Sequence, residues 1–268
     1  KSIEMSREEA VVLLAAIGTI DFSRLPHKKI VTGKEIVSVL LPEDFNYLGV
    51  SKAGEPVVIK EGKLIEGVLD EANLSAGSGL LLRNLHTYYG PAKAIEILHN
   101  LFTLGSEFLA RRGFSFGIAD VDLPERAKEL VENVLSESEH DVFNLIDQYG
   151  KGLLEALPGR TLKETFELRV LETLNKSRNK CGTIVKENIN QDTDPVVMVK
   201  SGARGNNLQL AMMAAMVGKQ TFRGRRIEQG YRGRTLSCFK RGDLSPEPHG
   251  FIRNGFKKGT NPKEFFLG

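Results

Sequence analysis

The hydrophobic and polar positions of the first forty residues predict two short helices. Ser6–Glu9 has the S-x-x-E spacing of a capping box, and residues 10–17 are apolar on nearly every side, which is typical of a buried helix. A second capping box, Thr32–Glu35, precedes the apolar run 36–41, which Pro42 ends.

A β-hairpin is predicted next. The apolar runs 57–59 and 64–69 flank a short polar stretch in which Gly62 can adopt a positive φ. After Ser78 the spacing becomes helical. Pro91 fits a first-turn position and Gly113 fits the position just past a helix end, so residues 113–120 are expected to form an irregular link.

Two long helical patterns follow, and they define the fold class. The first covers residues 124–157, and the second runs from the capping box Thr161–Glu164 to about Ile189. The Pro-Gly pair between them predicts an antiparallel helical hairpin with arms of about 45 Å. We therefore expect a mixed α+β fold rich in helix, with a small β portion near residues 55–70.

Charge is unevenly distributed along the chain. The 268 residues carry a formal charge of only +3, but residues 218–258 hold 11 Lys and Arg against 3 Asp and Glu. This asymmetry indicates either a face that meets phosphate or a solvated basic surface. The two cysteines, Cys181 and Cys238, provide neither a disulfide framework nor a zinc motif. We expect a cytoplasmic chain without a membrane span, and both ends suggest a fragment of a longer protein.

The segment Ser201–Gly205 is the first candidate for chemistry. It precedes a predicted helix, 207–217, so glycine N–H groups and the helix dipole favour an anion there, and Arg204 adds a bidentate donor for phosphate. The alternative is a loop whose glycines only make a turn.

The basic segment that follows suits contact with a polyanion. Its arginines are spaced by glycines, and Tyr231, Leu236 and Phe239 are spaced as anchors, which argues against a disordered tract. Conventional catalytic motifs are not found, and the acidic pair Asp120 and Asp122 is a weak candidate for a metal site.

These motifs, in this order, resemble the largest subunit of multi-subunit DNA-dependent RNA polymerase, in its archaeal form. The resemblance rests on residues 32–38, 113–120, 199–205, 224–227, 232–236, 250–251 and 261–266. It implies a pore domain at 1–113, a funnel domain with the helical hairpin at 114–217, and the start of a cleft and bridge-helix segment at 218–268. Such a region lines the secondary channel, through which nucleotides enter and backtracked RNA leaves.

The resemblance also assigns residues and partners. Arg204 matches a basic residue that reaches the triphosphate of the incoming nucleotide. The residues expected to line the pore near nucleic acid are Gln209, Met212, Lys219, Gln220, Thr221, Arg223, Gly224, Arg225 and Arg226. Expected partners are the other polymerase subunits, especially the second-largest, a transcript-cleavage factor, DNA, RNA and nucleotides.

No cofactor is expected in this chain. The family's magnesium-binding aspartate loop is absent from the sequence, so the chain alone is expected to be inactive, with Mg²⁺ bound elsewhere in the assembled enzyme. Lys219, Met212 and Cys238 depart from the family's usual residues. The alternatives are a free-standing basic nucleic-acid-binding module and a helical scaffold that docks other proteins.

Overall fold

The computed structural model describes residues 3–18, 21–228, 230 and 232–268. Within these ranges the chain forms two compact units. Unit 1 consists of Lys1–Ser115 and Val197–Arg204, and unit 2 consists of Phe116–Val196 and Gly205–Gly268. The division into pore, funnel and cleft segments stays a prediction.

Unit 1 combines small antiparallel sheets with helices. Its elements are β1 (Glu4–Ser6), α1 (Arg7–Ala15), β2 (Ile30–Thr32), α2 (Gly33–Val39), β3 (Tyr47–Val50), β4 (Pro56–Lys60), β5 (Lys63–Glu66), α3 (Glu71–Leu74) and α4 (Leu80–Arg112). β1 pairs with β2, and β3, β4 and β5 form one sheet in that order. The predicted hairpin is confirmed as β4–β5, and Gly62 has a φ of 68° in its turn.

Local sequence signals account for the helix ends of unit 1. The Ser6–Glu9 capping box is present at α1, and the carboxylate of Glu35 accepts hydrogen bonds from the Thr32 N–H and hydroxyl at α2. α1 is not buried on all sides as predicted, because Val12 is 56% exposed. α4 is kinked at Gly90, where φ is 78°, so its second part begins at Pro91.

Two apolar clusters form the core of unit 1. One lies between the three-stranded sheet and α4, and its most buried members include Phe45, Val57, Ile59 and Leu85. The other joins α1 and α2 to the far part of α4. The sheet therefore presents one face to the interior, as period-two alternation requires.

Unit 2 is built on the long helices. The elements that complete the chain are α5 (Glu125–Gly150), α6 (Leu162–Asn188), α7 (Asp194–Ser201), α8 (Asn207–Ala214), β6 (Gly218–Lys219), β7 (Thr221–Phe222), β8 (Arg225–Arg226), β9 (Phe251–Ile252) and α9 (Pro262–Leu267). The last residues of α7 cluster with unit 1. β6 pairs with β9, and β7 pairs with β8.

The predicted helical hairpin is confirmed, with one correction to its length. Tyr149 stacks on Phe166 with ring centroids 4.6 Å apart, and Lys180 lies 3.7 Å from Glu137, so α5 and α6 run antiparallel. α5 ends at Gly150 instead of continuing to residue 157, because Gly152 adopts a φ of 70° that stops the helix. The capping box of α6 at Thr161 is present as predicted.

The core of unit 2 runs along the contact between α5 and α6. Val142, Phe166, Val170, Leu174 and Cys181 are almost fully buried in it. The chain is therefore a mixed α+β protein dominated by helix, as predicted from the sequence. In the ranges that the structure describes, no helix combines the length and the apolar character of a membrane span.

Candidate nucleotide and nucleic-acid interface

The loop that carries Arg204 lies between two helices. α7 ends at Ser201, and α8 begins after its cap residue Asn206. Gly202 and Gly205 adopt φ values of 78° and 80°, which favour glycine. The two glycines therefore adopt the positive φ values that the turn requires. The turn connects α7 to α8 within five residues.

The expected cradle of free backbone N–H groups is not observed at this loop. The Gly202 N–H donates to the Val199 carbonyl at 3.2 Å, and the Ala203 N–H lies 3.4 Å from the Ser201 hydroxyl oxygen. The Arg204 N–H faces the Met198 carbonyl at 3.5 Å. Because these three donors are used within the loop, the exposed Arg204 side chain is the charged group of the loop that can meet an anion.

Glu71 fixes the position of this loop inside unit 1. A Cβ at Gly202 would lie 2.2 Å from Glu71 Oε2 and 2.5 Å from Glu71 Cβ, so the loop backbone packs directly on that side chain. Lys52 Nζ lies 2.7 Å from Glu71 Oε2, and Asp70 accepts a hydrogen bond from the Lys52 N–H at 2.6 Å. The Lys52–Glu71 ion pair thus holds the surface against which the turn rests.

The predicted pore residues on α8 have structural contacts. The Gln209 side chain accepts a hydrogen bond from the Asn206 N–H at 3.1 Å, and Asn206 caps the Gln209 N–H in return. Met212 is half-buried, and its carbonyl accepts from the Phe256 N–H at 3.0 Å. α8 ends at Ala214, three residues before the predicted end.

Lys219 is buried, with 3% of its surface exposed. Its ammonium group donates to the carbonyl of Gln220 at 2.5 Å and to the carbonyl of His249. Burial, together with the nearby positive charge of Arg226, lowers the pKa of Lys219 to about 7. Lys219 is therefore an interior residue of unit 2, and Gln220 beside it donates its N–H to the Gly250 carbonyl at 2.8 Å.

Arg226 is also buried, and its guanidinium is fully engaged. It donates to both carboxylate oxygens of Glu167 at 2.7 and 2.8 Å and to the Leu244 carbonyl at 2.9 Å. Its Cζ lies 5.4 Å from the centroid of the Phe166 ring. Burial opposes ionisation of Glu167, but the hydrogen bonds and charge of Arg226 outweigh it and hold the pKa of that carboxyl below its usual value.

The other predicted pore residues of unit 2 lie on one short hairpin. Thr221, Arg223, Gly224 and Arg225 are exposed on β7, β8 and the turn between them. The structure thus brings together seven of the ten predicted site residues, from Lys219 to Arg226, and the charged groups of Lys219 and Arg226 are buried. Arg204 belongs to unit 1 and the other nine to unit 2.

The segment after the hairpin is anchored as the sequence indicated. Phe239 is buried at 7% exposure and Leu236 is half-buried, whereas Tyr231 lies outside the described residues. The Thr235 hydroxyl donates to the Pro248 carbonyl at 2.6 Å, and the Gly242 N–H donates to the Gly233 carbonyl at 2.9 Å. These long-range bonds are those of an ordered segment.

The acidic residues do not fit a magnesium site. Asp120 accepts a hydrogen bond from the Gly117 N–H at 2.7 Å, and Asp122 forms an ion pair with Lys257. Both carboxylates are therefore engaged by donors of the chain itself. In the described ranges, no three His, Cys, Asp or Glu side chains are grouped so that they could hold a metal ion.

Sequence reasoning did not single out three residues of this region. Glu167 and Glu71 gave no local signal, because their partners lie 59 and 131 positions away along the chain. Phe222 could have been found, since it is the aromatic residue within an arginine-rich run.

Two family models match successive parts of the chain. Residues 4–121 match RNA polymerase Rpb1, domain 3, and residues 146–252 match RNA polymerase Rpb1, domain 4. Two successive domains of one protein are thus matched in order along most of the chain. This chain belongs to the family of the largest subunits of DNA-directed RNA polymerase, which confirms the resemblance seen in its motifs.

Within that family, the similar proteins are archaeal subunits named DNA-directed RNA polymerase subunit Rpo1N. The subunit from Methanocaldococcus jannaschii is 38% identical over 281 residues, which cover 98% of this chain and 21% of the relative. That from Halococcus morrhuae is 41% identical, covering 81% of this chain and 62% of the relative. The subunit from Sulfolobus acidocaldarius is 35% identical, covering 100% of this chain and 32% of the relative. The chain thus spans about a fifth to three fifths of these relatives.

Proposed function

We propose that this chain works as part of an archaeal-type DNA-dependent RNA polymerase and lines the channel through which nucleotides reach the active centre. The observation that carries this proposal is the match of two successive largest-subunit domains across residues 4–252. The chain contributes to nucleotidyl transfer within the assembled enzyme, which acts in the cytoplasm on DNA, RNA and nucleoside triphosphates.

Arg204 is the residue that we assign to the triphosphate. Its side chain is exposed, and among the described residues no carboxylate lies within ion-pair distance of it. A guanidinium free of internal partners offers bidentate hydrogen bonds to phosphate oxygens at little reorganisation cost. The Gly202 turn and the Lys52–Glu71 ion pair hold the backbone from which this side chain extends.

The remaining parts of the catalytic centre belong to other segments in this proposal. Mg²⁺, when bound there, supplies charge stabilisation for phosphoryl transfer, and this chain's residues bind and orient the nucleotide. Other polymerase subunits, the second-largest in particular, and a cleavage factor entering the same channel are the proposed partners. The purified chain alone is then unable to polymerise RNA.

The test is nucleotide addition by assembled polymerase that carries Arg204→Ala. Removal of a charge-assisted hydrogen bond is expected to lower kcat/KM by roughly tenfold or more, mainly through a higher apparent KM for nucleotides. Arg204→Lys should restore part of the loss, because it keeps the charge without the bidentate geometry.

Arg83→Ala is the matched control. Arg83 is an exposed arginine of α4 in the same unit and has no role in this proposal. Unchanged kinetics in Arg204→Ala, with assembly intact, would remove Arg204 from the triphosphate role. Equal losses in Arg204→Ala and Arg83→Ala would indicate a general charge effect instead.

A further inference from the structure

The β7–β8 hairpin presents an aromatic ring and two arginines on one face. Phe222 pairs with Arg225 across the ladder, and Thr221 pairs with Arg226. Because neighbouring residues of a strand point to opposite faces, Phe222 and Arg225 point outward where Arg226 points inward. On β8 the exposures follow this alternation, since Arg225 is exposed and Arg226 is only 2% exposed. On β7, both Thr221 and Phe222 are exposed, and Phe222 is 50% exposed.

Arg223 completes this outward face. It occupies the tip of the hairpin with a φ of 51°, followed by Gly224 with a φ of 76°, as in the tight turns that suit twisted hairpins. Its Cζ lies 5.2 Å from the centroid of the Phe222 ring. In the described part of the chain, no salt bridge is formed by Arg223 or Arg225. The charge of Arg225 acts at longer range on the exposed Glu164, and both guanidinium groups are exposed to a ligand.

The inward residue anchors the hairpin to the body of unit 2. Arg226 is held on α6 by the two-point ion pair with Glu167, by the Leu244 carbonyl and by the Phe166 ring. A hairpin of two-residue strands has little stability by itself, and this buried anchor fixes its direction. The anchor therefore holds the hairpin tip in one orientation before any ligand binds.

We propose that the hairpin tip is a binding site for single-stranded nucleic acid, in which Phe222 stacks on an unpaired base and Arg223 and Arg225 contact the flanking phosphates. Stacking on an aromatic ring tolerates any base, and guanidinium groups follow the backbone. An acidic protein segment would use the two arginines but would leave the half-exposed ring unexplained. The site deepens the proposed function, because a polymerase channel supplies a single RNA strand, but binding to the chain itself does not depend on assembly.

The test is an RNA-binding assay with the 268-residue chain. Fluorescence anisotropy measures the binding of short fluorescein-labelled single-stranded RNA across a range of salt concentrations. Phe222→Ala should weaken binding by about five- to one-hundredfold, and Phe222→Trp should restore it. The slope of log K against log salt should stay unchanged in Phe222→Ala, since the ring contacts no phosphate. Arg223→Ala and Arg225→Ala should each reduce that slope by about 0.7.

Phe143→Ala is the control, because Phe143 is a 54% exposed phenylalanine on α5 without neighbouring arginines in sequence. It should bind RNA as the parent does. Single-stranded DNA should bind comparably if stacking dominates, and tighter RNA binding would assign the site to RNA; both results support the proposal. Equal affinity for duplex, unchanged affinity in Phe222→Ala, or displacement of RNA by polyglutamate at lower concentration than by RNA itself would each overturn it.

These outcomes are independent of the Arg204 kinetics. If Phe222→Ala binds RNA normally while Arg204→Ala raises the KM of the assembled enzyme, the hairpin site fails and the proposed function stands. If the hairpin binds RNA but Arg204 kinetics are unchanged, the triphosphate role fails and the hairpin site stands.

Discussion

Lys219 shows how a single basic residue can be read differently before and after its surroundings are known. Its position in an arginine-rich run favoured a role in the field near nucleic acid. The structure places its ammonium group inside unit 2, donating to two backbone carbonyls. Its charge therefore destabilises the folded state, because burial disfavours the ionised form.

The pH dependence of stability tests this interior placement. The folded pKa of about 7 lies below the unfolded value of about 10.4, so the unfolded chain binds more protons between these pH values. The free energy of unfolding therefore rises with pH from about 7 to about 10. Below pH 7 the buried lysine is protonated, and the folded state bears the full cost of burying the charge. Lys219→Met should be more stable than the parent at pH 6, by a few kcal/mol, with the advantage disappearing towards pH 10.

Chemical denaturation at both pH values measures the difference in free energy of unfolding. Lys258→Met, at an exposed lysine of the same unit, should show no such pH-dependent gap. A gap that is the same at pH 6 and pH 10 would contradict the assigned environment of Lys219.

The sequence could single out Arg204 because its signal, the flanking glycines, is local. The structure shows its side chain exposed, and its role at the triphosphate stays a prediction. Arg226 was expected near nucleic acid, but its ion pair with Glu167 joins β8 to α6, and no local pattern could reveal that partner. Whether Arg226 influences RNA through its anchoring of the hairpin stays a prediction.

At the level of elements, the backbone conformation of the turn at Gly202 determines where the Arg204 side chain lies. Gly202→Ala would impose both a positive φ on alanine and a clash with Glu71. The expected loss is about 1–3 kcal/mol of stability, greater than the strain alone, and a higher KM for nucleotides in the assembled enzyme as Arg204 is displaced.

Gly54→Ala separates the strain of a positive φ from the clash with Glu71. Gly54 has a φ of 88° in the same unit, but a Cβ there would meet no atom within 4 Å. Denaturation should show a smaller loss for this variant, with nucleotide KM unchanged. If Gly54→Ala and Gly202→Ala lose equal stability, the Glu71 contact contributes nothing to holding the loop.

Elements with strong terminal signals were predicted well. The capping boxes at Ser6, Thr32 and Thr161 and the first-turn position of Pro91 all come from residues within one turn of the feature. The pairs β1–β2 and β6–β9 were missed, because strands of two or three residues have too little periodicity to register. The paired residues are 24 to 34 positions apart along the chain, so tertiary packing determines which strands pair.

At the scale of the whole molecule, the chain forms two compact units and matches two successive family domains. Large apolar side chains stay exposed on α4, including Ile95 at 67% and Phe102 at 73%. An exposed apolar stripe of this kind is typical of a surface that another chain segment or subunit covers. The family itself could be recognised from the sequence because several long motifs occur in one order. The ion pairs that position the site, Lys52–Glu71 and Arg226–Glu167, could not be recognised in this way.

Activity of the native protein tests the central claim most directly. Antibodies against this chain should isolate, from the cells that make it, a multi-subunit particle that synthesises RNA from a DNA template in a Mg²⁺-dependent reaction. The account predicts template-dependent incorporation that is lost when the template is omitted. Recovery of the chain free of other subunits, with no RNA synthesis in the isolate, would contradict it.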